Sequence, residues 1–200
     1  MSEPRSIFPA DAAGGEERLY FNMIDAALKS REDRIISNGK PAHAVYLINK
    51  LLECAQRSVR IYTGRLSRTF DGVLAYADPV IAMSAIAFLG KEGSELSIVI
   101  ADEPDVEPGR PLRDHPFLKT ILDADIRGEV RVSKADDTDR ERFQYHFLVV
   151  DDEAMRIEID TKKAQAYVNF GNPPFGQQLR RVFDEFERNG TPLLAVPEAV

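Results

Sequence analysis

Two hundred residues hold three histidines, one cysteine and no tryptophan. The lone Cys54 excludes an internal disulfide and any cluster built on several thiolates, and it suits a reducing compartment. An excess of positive charge is also missing. Lys and Arg number 26 against 33 Asp and Glu, a net charge of −7. A general binder of nucleic acid or of anionic membrane draws its affinity from a basic surface. A nucleic-acid partner is therefore not expected, while a local basic pocket stays open. No apolar run reaches the ~20 residues that a helix needs to cross a bilayer. The start, Met1-Ser2-Glu3-Pro4-Arg5-Ser6, lacks the basic opening and apolar core of a secretion signal. The expectation is a cytoplasmic protein with no membrane partner. No motif asks for a cofactor, and no ligand spacing asks for a metal.

What is present is ordinary for a globular chain: 44% apolar and 30% charged residues. The length fits one domain. Residues 1–18 are poor in large apolar side chains and read as a flexible arm. Residues 19–190 read as the domain, and 191–200 as a tail without a recognisable signal. Leu19 to Leu28 suits either a short helix or a strand. Pro41 to Arg57 predicts a helix, with Val45, Ile48, Leu52 and Ala55 at helical spacing and His43 as a surface residue of its first turn. Ser58 to Thr63 predicts a strand that runs into Gly64-Arg65-Leu66-Ser67-Arg68. A loop at the carboxyl end of a strand is where ligands collect in open α/β sheets. Arg65, Ser67 and Arg68 there suit an anion such as phosphate, or equally a set of ion pairs with the many carboxylates.

Further along, Asp78, Pro79 and Gly90 bracket a helix that is apolar nearly all round, so it is buried or meets a partner. Glu95 to Ala101 and Gly128 to Ser133 predict strands, His115 to Ala124 a short helix, and Lys134 to Arg140 a polar loop. Phe175 to Asn189 predicts the last helix, with Leu179, Val182, Phe183 and Phe186 on one stripe.

Most of the unusual polar residues fall between Phe143 and Asn172. Strand side chains alternate, so His146, Leu148 and Val150 share one face and Phe147 and Val149 the other. Asp151-Asp152-Glu153 is a turn. Met155, Ile157 and Ile159 then alternate with Arg156, Glu158 and Asp160, and Ala164 to Phe170 makes a third strand. Three readings stand for the polar set: a solvated strand face with cross-strand ion pairs, a core histidine at His146, or one pocket that joins His146 to Arg156, Glu158 and Asp160, where a carboxylate tunes the imidazole. Strands that alternate with helices imply parallel crossovers, and three strands in succession imply antiparallel hairpins. The fold class is α/β, a mixed sheet flanked by helices on both faces.

That order of elements, from about Pro41 to Gly190, resembles one repeat of the phospholipase D-like superfamily. The phrase from Gln144 to Asp152 sits where the family writes His-x-Lys-x4-Asp. By that resemblance Gln144 stands in the place of the nucleophilic histidine, His146 in the place of the lysine, and Asp151 keeps the acidic position. The Gly-Ser-x-Asn phrase that should follow is absent; Glu158, Ile159 and Asp160 occupy its region, and Asn169 comes later. His146-Phe147-x-Val149-x-Asp151, Arg156-x-Glu158-x-Asp160 and Asn169-Phe170 are also similar to a bacterial branch of that superfamily with no established activity.

A glutamine amide cannot attack phosphorus, so the family's covalent chemistry is not expected. The resemblance implies a catalytically eroded domain that acts as a binding or regulatory module. It also implies a homodimer, because a single repeat usually joins a second, and the helix from Asp78 to Leu89 offers apolar surface for that. The alternative is a remodelled phosphodiesterase or phosphohydrolase. In it His146 is the acid or base, Glu158 or Asp160 orients it, and Arg65, Ser67, Arg68, Arg156 and Asn169 hold a phosphate-bearing ligand. A metal-dependent hydrolase built on His146, Glu158 and Asp160 ranks last.

Overall fold

A computed structural model of the chain describes residues 15–66, 76, 78–102, 110–160 and 165–196. The elements are α1 (Gly15–Ser30), β1 (Ile36–Asn38), α2 (Pro41–Cys54), β2 (Ser58–Thr63), α3 (Pro79–Leu89), β3 (Glu95–Ile100), α4 (Pro116–Leu122), β4 (Glu129–Lys134), α5 (Asp137–Arg142), β5 (His146–Val150), β6 (Ala154–Asp160), β7 (Gln165–Asn169), α6 (Pro173–Asn189) and β8 (Thr191–Val196).

Alternation along the strands builds two cores on one mixed sheet. Val59 and Ile61 of β2, Leu96, Ile98 and Ile100 of β3, and Leu148 and Val150 of β5 face the larger core, under α1 to α4. Tyr62, Val99, Phe147, Val149 and Met155 face the smaller one, under Leu179, Phe183 and Phe186 of α6. Each large side chain taken out of water contributes roughly 2 kcal/mol. Strands buried on both faces are what a parallel centre requires. β2, β3 and β4 are parallel neighbours; β5, β6 and β7 form an antiparallel meander, and β5 pairs antiparallel with β2. The strand order is β1-β7-β6-β5-β2-β3-β4-β8. No helix among the described residues is long and apolar enough to cross a membrane.

Several boundaries differ from the sequence reading, each for a physical reason. α1 starts at Gly15, inside the stretch read as an arm, with Glu16 and Glu17 in its first turn, where carboxylates complement the helix dipole. α2 stops at Cys54 and not at Arg57, because the amides of Gln56 and Arg57 turn to the Asp151 carboxylate instead. The loop expected from Lys134 to Arg140 runs into α5, which starts at Asp137 and continues to Arg142. Asp136 caps it by accepting from Thr138 N at 2.8 Å, and Asp137 and Asp139 open it while Arg140 and Arg142 close it. The tail without a signal holds β8, paired antiparallel with β4. β1 was not foreseen; three residues give no periodicity to read.

The α3 helix is mostly consumed by its own chain. Ile81, Ala82, Ala85, Phe88 and Leu89 are buried, while Met83 is exposed. His43 is not the surface residue expected. It is 8% exposed, its ring stacks on Tyr20 at 3.9 Å, and neither ring nitrogen has a hydrogen-bond partner. Burial, helped by Lys40 and opposed by Glu17, holds its pKa below 6.5. An imidazole whose folded pKa is depressed binds fewer protons folded than unfolded. Its neutral form therefore contributes stability above about pH 6.5, and that contribution is lost as the pH falls toward the folded pKa. In denaturant melts between pH 7 and pH 5, the wild type is expected to weaken and His43→Phe to stay flatter. Parallel curves would show that the α1–α2 seam does not depend on a neutral His43.

Candidate functional site

The parallel run of β2 and β3 brings their carboxyl ends to one edge of the sheet. β5 runs the other way, so its first residue, His146, begins at that same edge, and β6 returns to it with Glu158 opposite His146. Both side chains stand on the face that carries Leu148 and Arg156. His146 Nδ1 lies 3.4 Å from Glu158 Oε2, and Arg156 Nη2 donates to Glu158 Oε1 at 3.3 Å. These are not solvated groups. Arg156 is 6% exposed, and Glu158 and His146 are partly buried. The solvated-face reading therefore fails for Arg156 and Glu158, since the face they occupy is the one that α1 to α4 cover. Burial pushes the Glu158 carboxyl up, but the hydrogen bond from His146 and the Arg156 charge outweigh it and hold the pKa below the ordinary value. Because that carboxylate only accepts, Nδ1 carries the proton and Nε2 is the nitrogen left for another partner.

The Nε2 side of the ring faces the loop that leaves β2. A Cβ built on Gly64 would lie 3.3 Å from His146 Cε1 and 3.5 Å from Nε2, so only glycine lets this backbone approach the ring without pressing on it. The Asp102 carboxylate, just past β3, would lie 3.8 Å from the same Cβ. Arg65 Nε is 3.8 Å from Asp102, and Arg140 Nη1 is 3.4 Å from it. Tyr62 stands edge-on to the His146 ring at 6.2 Å. Deeper in, Arg156 Nε has no hydrogen-bond partner. The Tyr76 phenol, raised first by burial, also feels Arg156 and Glu158. The arrangement gathers three cationic side chains, the two carboxylates of Glu158 and Asp102, and an imidazole with one open nitrogen, a set whose cations can hold a small anion.

Of the residues singled out in the sequence, His146, Glu158 and Arg156 come together, and Arg65 reaches the same edge. Ser67 and Arg68 lie outside the described residues. Asp160 follows Glu158 on β6 beyond a register shift and pairs with Gln165. Asn169 sits at the opposite edge, opposite Met155, where it donates to Asp33 at 2.8 Å and accepts from Gly171 N at 2.9 Å. Asp151 is also at that far edge. It accepts from the amides of Gln56, Arg57 and Ser58 at 2.7–2.9 Å. Gln144 precedes β5 and is exposed. Among the described residues, no group of three or more His, Cys, Asp and Glu is placed to hold a metal ion.

Three contributors, His115, Asp102 and Arg140, had escaped the sequence reading. His115, fully buried, places Nε2 3.0 Å from the Leu66 carbonyl. A carbonyl only accepts, so Nε2 donates and pins the loop that carries Gly64 and Arg65 in place. Leu66 itself is buried with a left-handed backbone, φ 56°. The one local sign was a histidine directly before the helix-opening Pro116. Asp102 opened a stretch with three prolines and charges of both signs, with nothing to mark it.

No protein-family model matches this chain, and no curated protein sequence matches it. Solved structures do share its fold. Nuc from Salmonella typhimurium, a phospholipase D family member, superposes with a TM-score of 0.51 at 14% identity, over 80% of this chain and 98% of that one. TrmBL2, an archaeal chromatin protein whose structure shows a novel mode of DNA binding, superposes with a TM-score of 0.52 at 11% identity, over 88% of this chain and 62% of that longer one. Identities this low speak for the fold alone.

Proposed function

From a phospholipase D-like fold, we propose that this protein is a catalytically eroded, dimeric binding module that takes a small phosphate-bearing anion at the edge of the sheet formed by His146, Arg156 and Arg65. One observation carries the reading: the position that resembles the nucleophile's is Gln144, an exposed amide outside β5, while His146 is held by Glu158 with Arg156 behind it. An amide has no nucleophilic lone pair to offer phosphorus. Arg156 and Arg65 supply hydrogen bonds and positive charge to an anion, and His146 Nε2, unprotonated in this tautomer, accepts from a protonated phosphate oxygen. They demand no attack on it.

The pairing of His146 Nδ1 with Glu158 favours a second reading, a remodelled phosphohydrolase. A carboxylate that orients an imidazole and leaves Nε2 open is also how a general base is built. The same experiment decides between the two. Thermal shift against inorganic phosphate, nucleotides and phosphate esters is expected to stabilise the wild type. A ligand at 100 times its Kd adds about 2.7 kcal/mol. The shift is expected to vanish in His146→Ala and shrink in Gly64→Ala, whose methyl displaces the ring. No release of nitrophenol from bis(p-nitrophenyl) phosphate is expected. Release that disappears in His146→Ala and persists in Gln144→Ala would establish the hydrolase instead. Absence of any stabilisation by these anions would remove the anion-binding reading.

A further inference from the structure

Among the polar groups at the His146 edge, one atom asks for a hydrogen. Both oxygens of Glu158 are in use, one facing His146 Nδ1 and the other taking Arg156 Nη2. The Asp102 carboxylate is covered by Arg65 and Arg140. His146 Nε2 is different. With the ring proton on Nδ1 it carries a bare lone pair, and among the described residues nothing donates to it. It lies on the open side of the ring, 3.5 Å from the point where a Gly64 side chain would begin, with an Asp102 oxygen 3.8 Å from the same point. An anion drawn to this edge by Arg65, Arg140 and Arg156 therefore meets a nitrogen that can only accept. A fully deprotonated anion has nothing to give it, and lone pair opposes lone pair. An acceptor left without its donor in this way weakens binding by about ten-fold or more.

We propose that this site selects an oxyanion that still carries a hydrogen, hydrogen phosphate above all, and that Glu158 sets the selection by fixing the His146 tautomer. The proposal rests on the anion-binding reading above and narrows it to a ligand. Hydrogen phosphate keeps one P–O–H through the neutral and mildly alkaline range. It gives that hydrogen to Nε2 and accepts from the arginines with its other oxygens. Sulfate has the same shape and, at pH 8, the same double charge, but no hydrogen. A phosphodiester has none either. A phosphate monoester loses its last one near pH 6, so at pH 8 only a small fraction of it can donate. Glu158 acts here as a positioning residue, and one atom reverses what it does. Arg156 only donates, so in Glu158→Gln the amide oxygen stays on the arginine's side. The amide NH2 then faces Nδ1, which has to accept, and the ring proton moves to Nε2. The open nitrogen becomes a donor within an unchanged outline.

Calorimetric titration of the full chain at pH 8 with inorganic phosphate, sulfate, methyl phosphate and dimethyl phosphate tests this. The wild type is expected to bind phosphate about ten-fold or more tightly than sulfate, with methyl phosphate between them and dimethyl phosphate as weak as sulfate. In Glu158→Gln the preference for phosphate over sulfate is expected to disappear. A wild type that takes sulfate as tightly as phosphate overturns the proposal and leaves the anion reading standing. A preference that survives unchanged in Glu158→Gln also overturns it. Binding of none of these anions sinks the anion reading and this proposal together. Nitrogen chemical shifts of the three histidine rings give a reading that does not need the glutamine variant to fold. The His146 signals, identified by their loss in His146→Ala, are expected to show hydrogen on Nδ1 and none on Nε2 in the wild type. A hydrogen on Nε2 at pH 8 overturns the proposal whichever anions bind.

Discussion

Replacing Glu158 with leucine is expected to destabilise the protein by about 3 kcal/mol, because it leaves a buried cation without its carboxylate. The Arg156 guanidinium is 6% exposed and donates to Glu158 from Nη2 while Nε is already without a partner. Taking one member from a buried pair costs more than taking both. The Arg156→Leu, Glu158→Leu double variant is therefore expected to recover to within about 1 kcal/mol of wild type. The pH dependence has a definite sign. Folding lowers the Glu158 pKa below its ordinary 4.5. The folded state then binds fewer protons than the unfolded one as that range is crossed. The stability that Glu158 contributes is present above about pH 4.5 and is lost as the pH falls through the folded pKa, and the leucine variant lacks that acid limb. Denaturant melts from pH 7 to pH 3 on the single and double variants check both statements. A single variant costing under 1 kcal/mol, with the double variant worse than either single, would mean that the pair is effectively solvated and that the pocket is not built as described.

The second large effect falls at the other edge. Asp151→Ala is expected to cost about 3 kcal/mol, with the phosphate-ester response of the folded fraction unchanged. Asp151 takes three backbone amides, those of Gln56, Arg57 and Ser58, and so ties the start of β2 to the β5–β6 turn. Hydrogen bonds to a charged acceptor contribute about 1.5–3 kcal/mol each when protected, less where water replaces them. The backbone adds a smaller part. Asp151 and Asp152 have φ of 50° and 61°, a left-handed conformation that aspartate tolerates and alanine resists by about 1 kcal/mol. Asp151→Gly relieves that strain and keeps the hydrogen-bond loss, so it separates the two terms by chemical denaturation. Asp151→Asn keeps one carbonyl acceptor and is expected to fall between. A ligand response lost with Asp151 while the fold survives would contradict a purely architectural role for this acidic position.

α3 was legible because its signals are local. Asp78 was a cap by residue type, and its carboxylate does accept from Val80 N at 2.9 Å. β2, β3 and β5 were legible because strands apolar on both sides have few other places to go. α5 was hidden because its evidence is charge and capping with no apolar stripe, and β8 because six residues acquire meaning only from β4 beside them. His43 was misread because a histidine's burial depends on the helix laid over it, here α1 through Tyr20.

By itself the sequence determined the fold class, the order of the elements from α2 to α6 apart from α5, and the alternation that sets Arg156 with Glu158 on one face of its strand and His146 with Leu148 on one face of another. Those facts follow from backbone periodicity, which any window of the chain carries. The tertiary structure alone decided that this face is covered, that Asn169 and Asp151 belong to the far edge, and that Asp102, Arg140 and His115 belong with His146. Those depend on strand order and direction, contacts between residues as far apart as Leu66 and His115, and no local pattern encodes which distant segment will arrive.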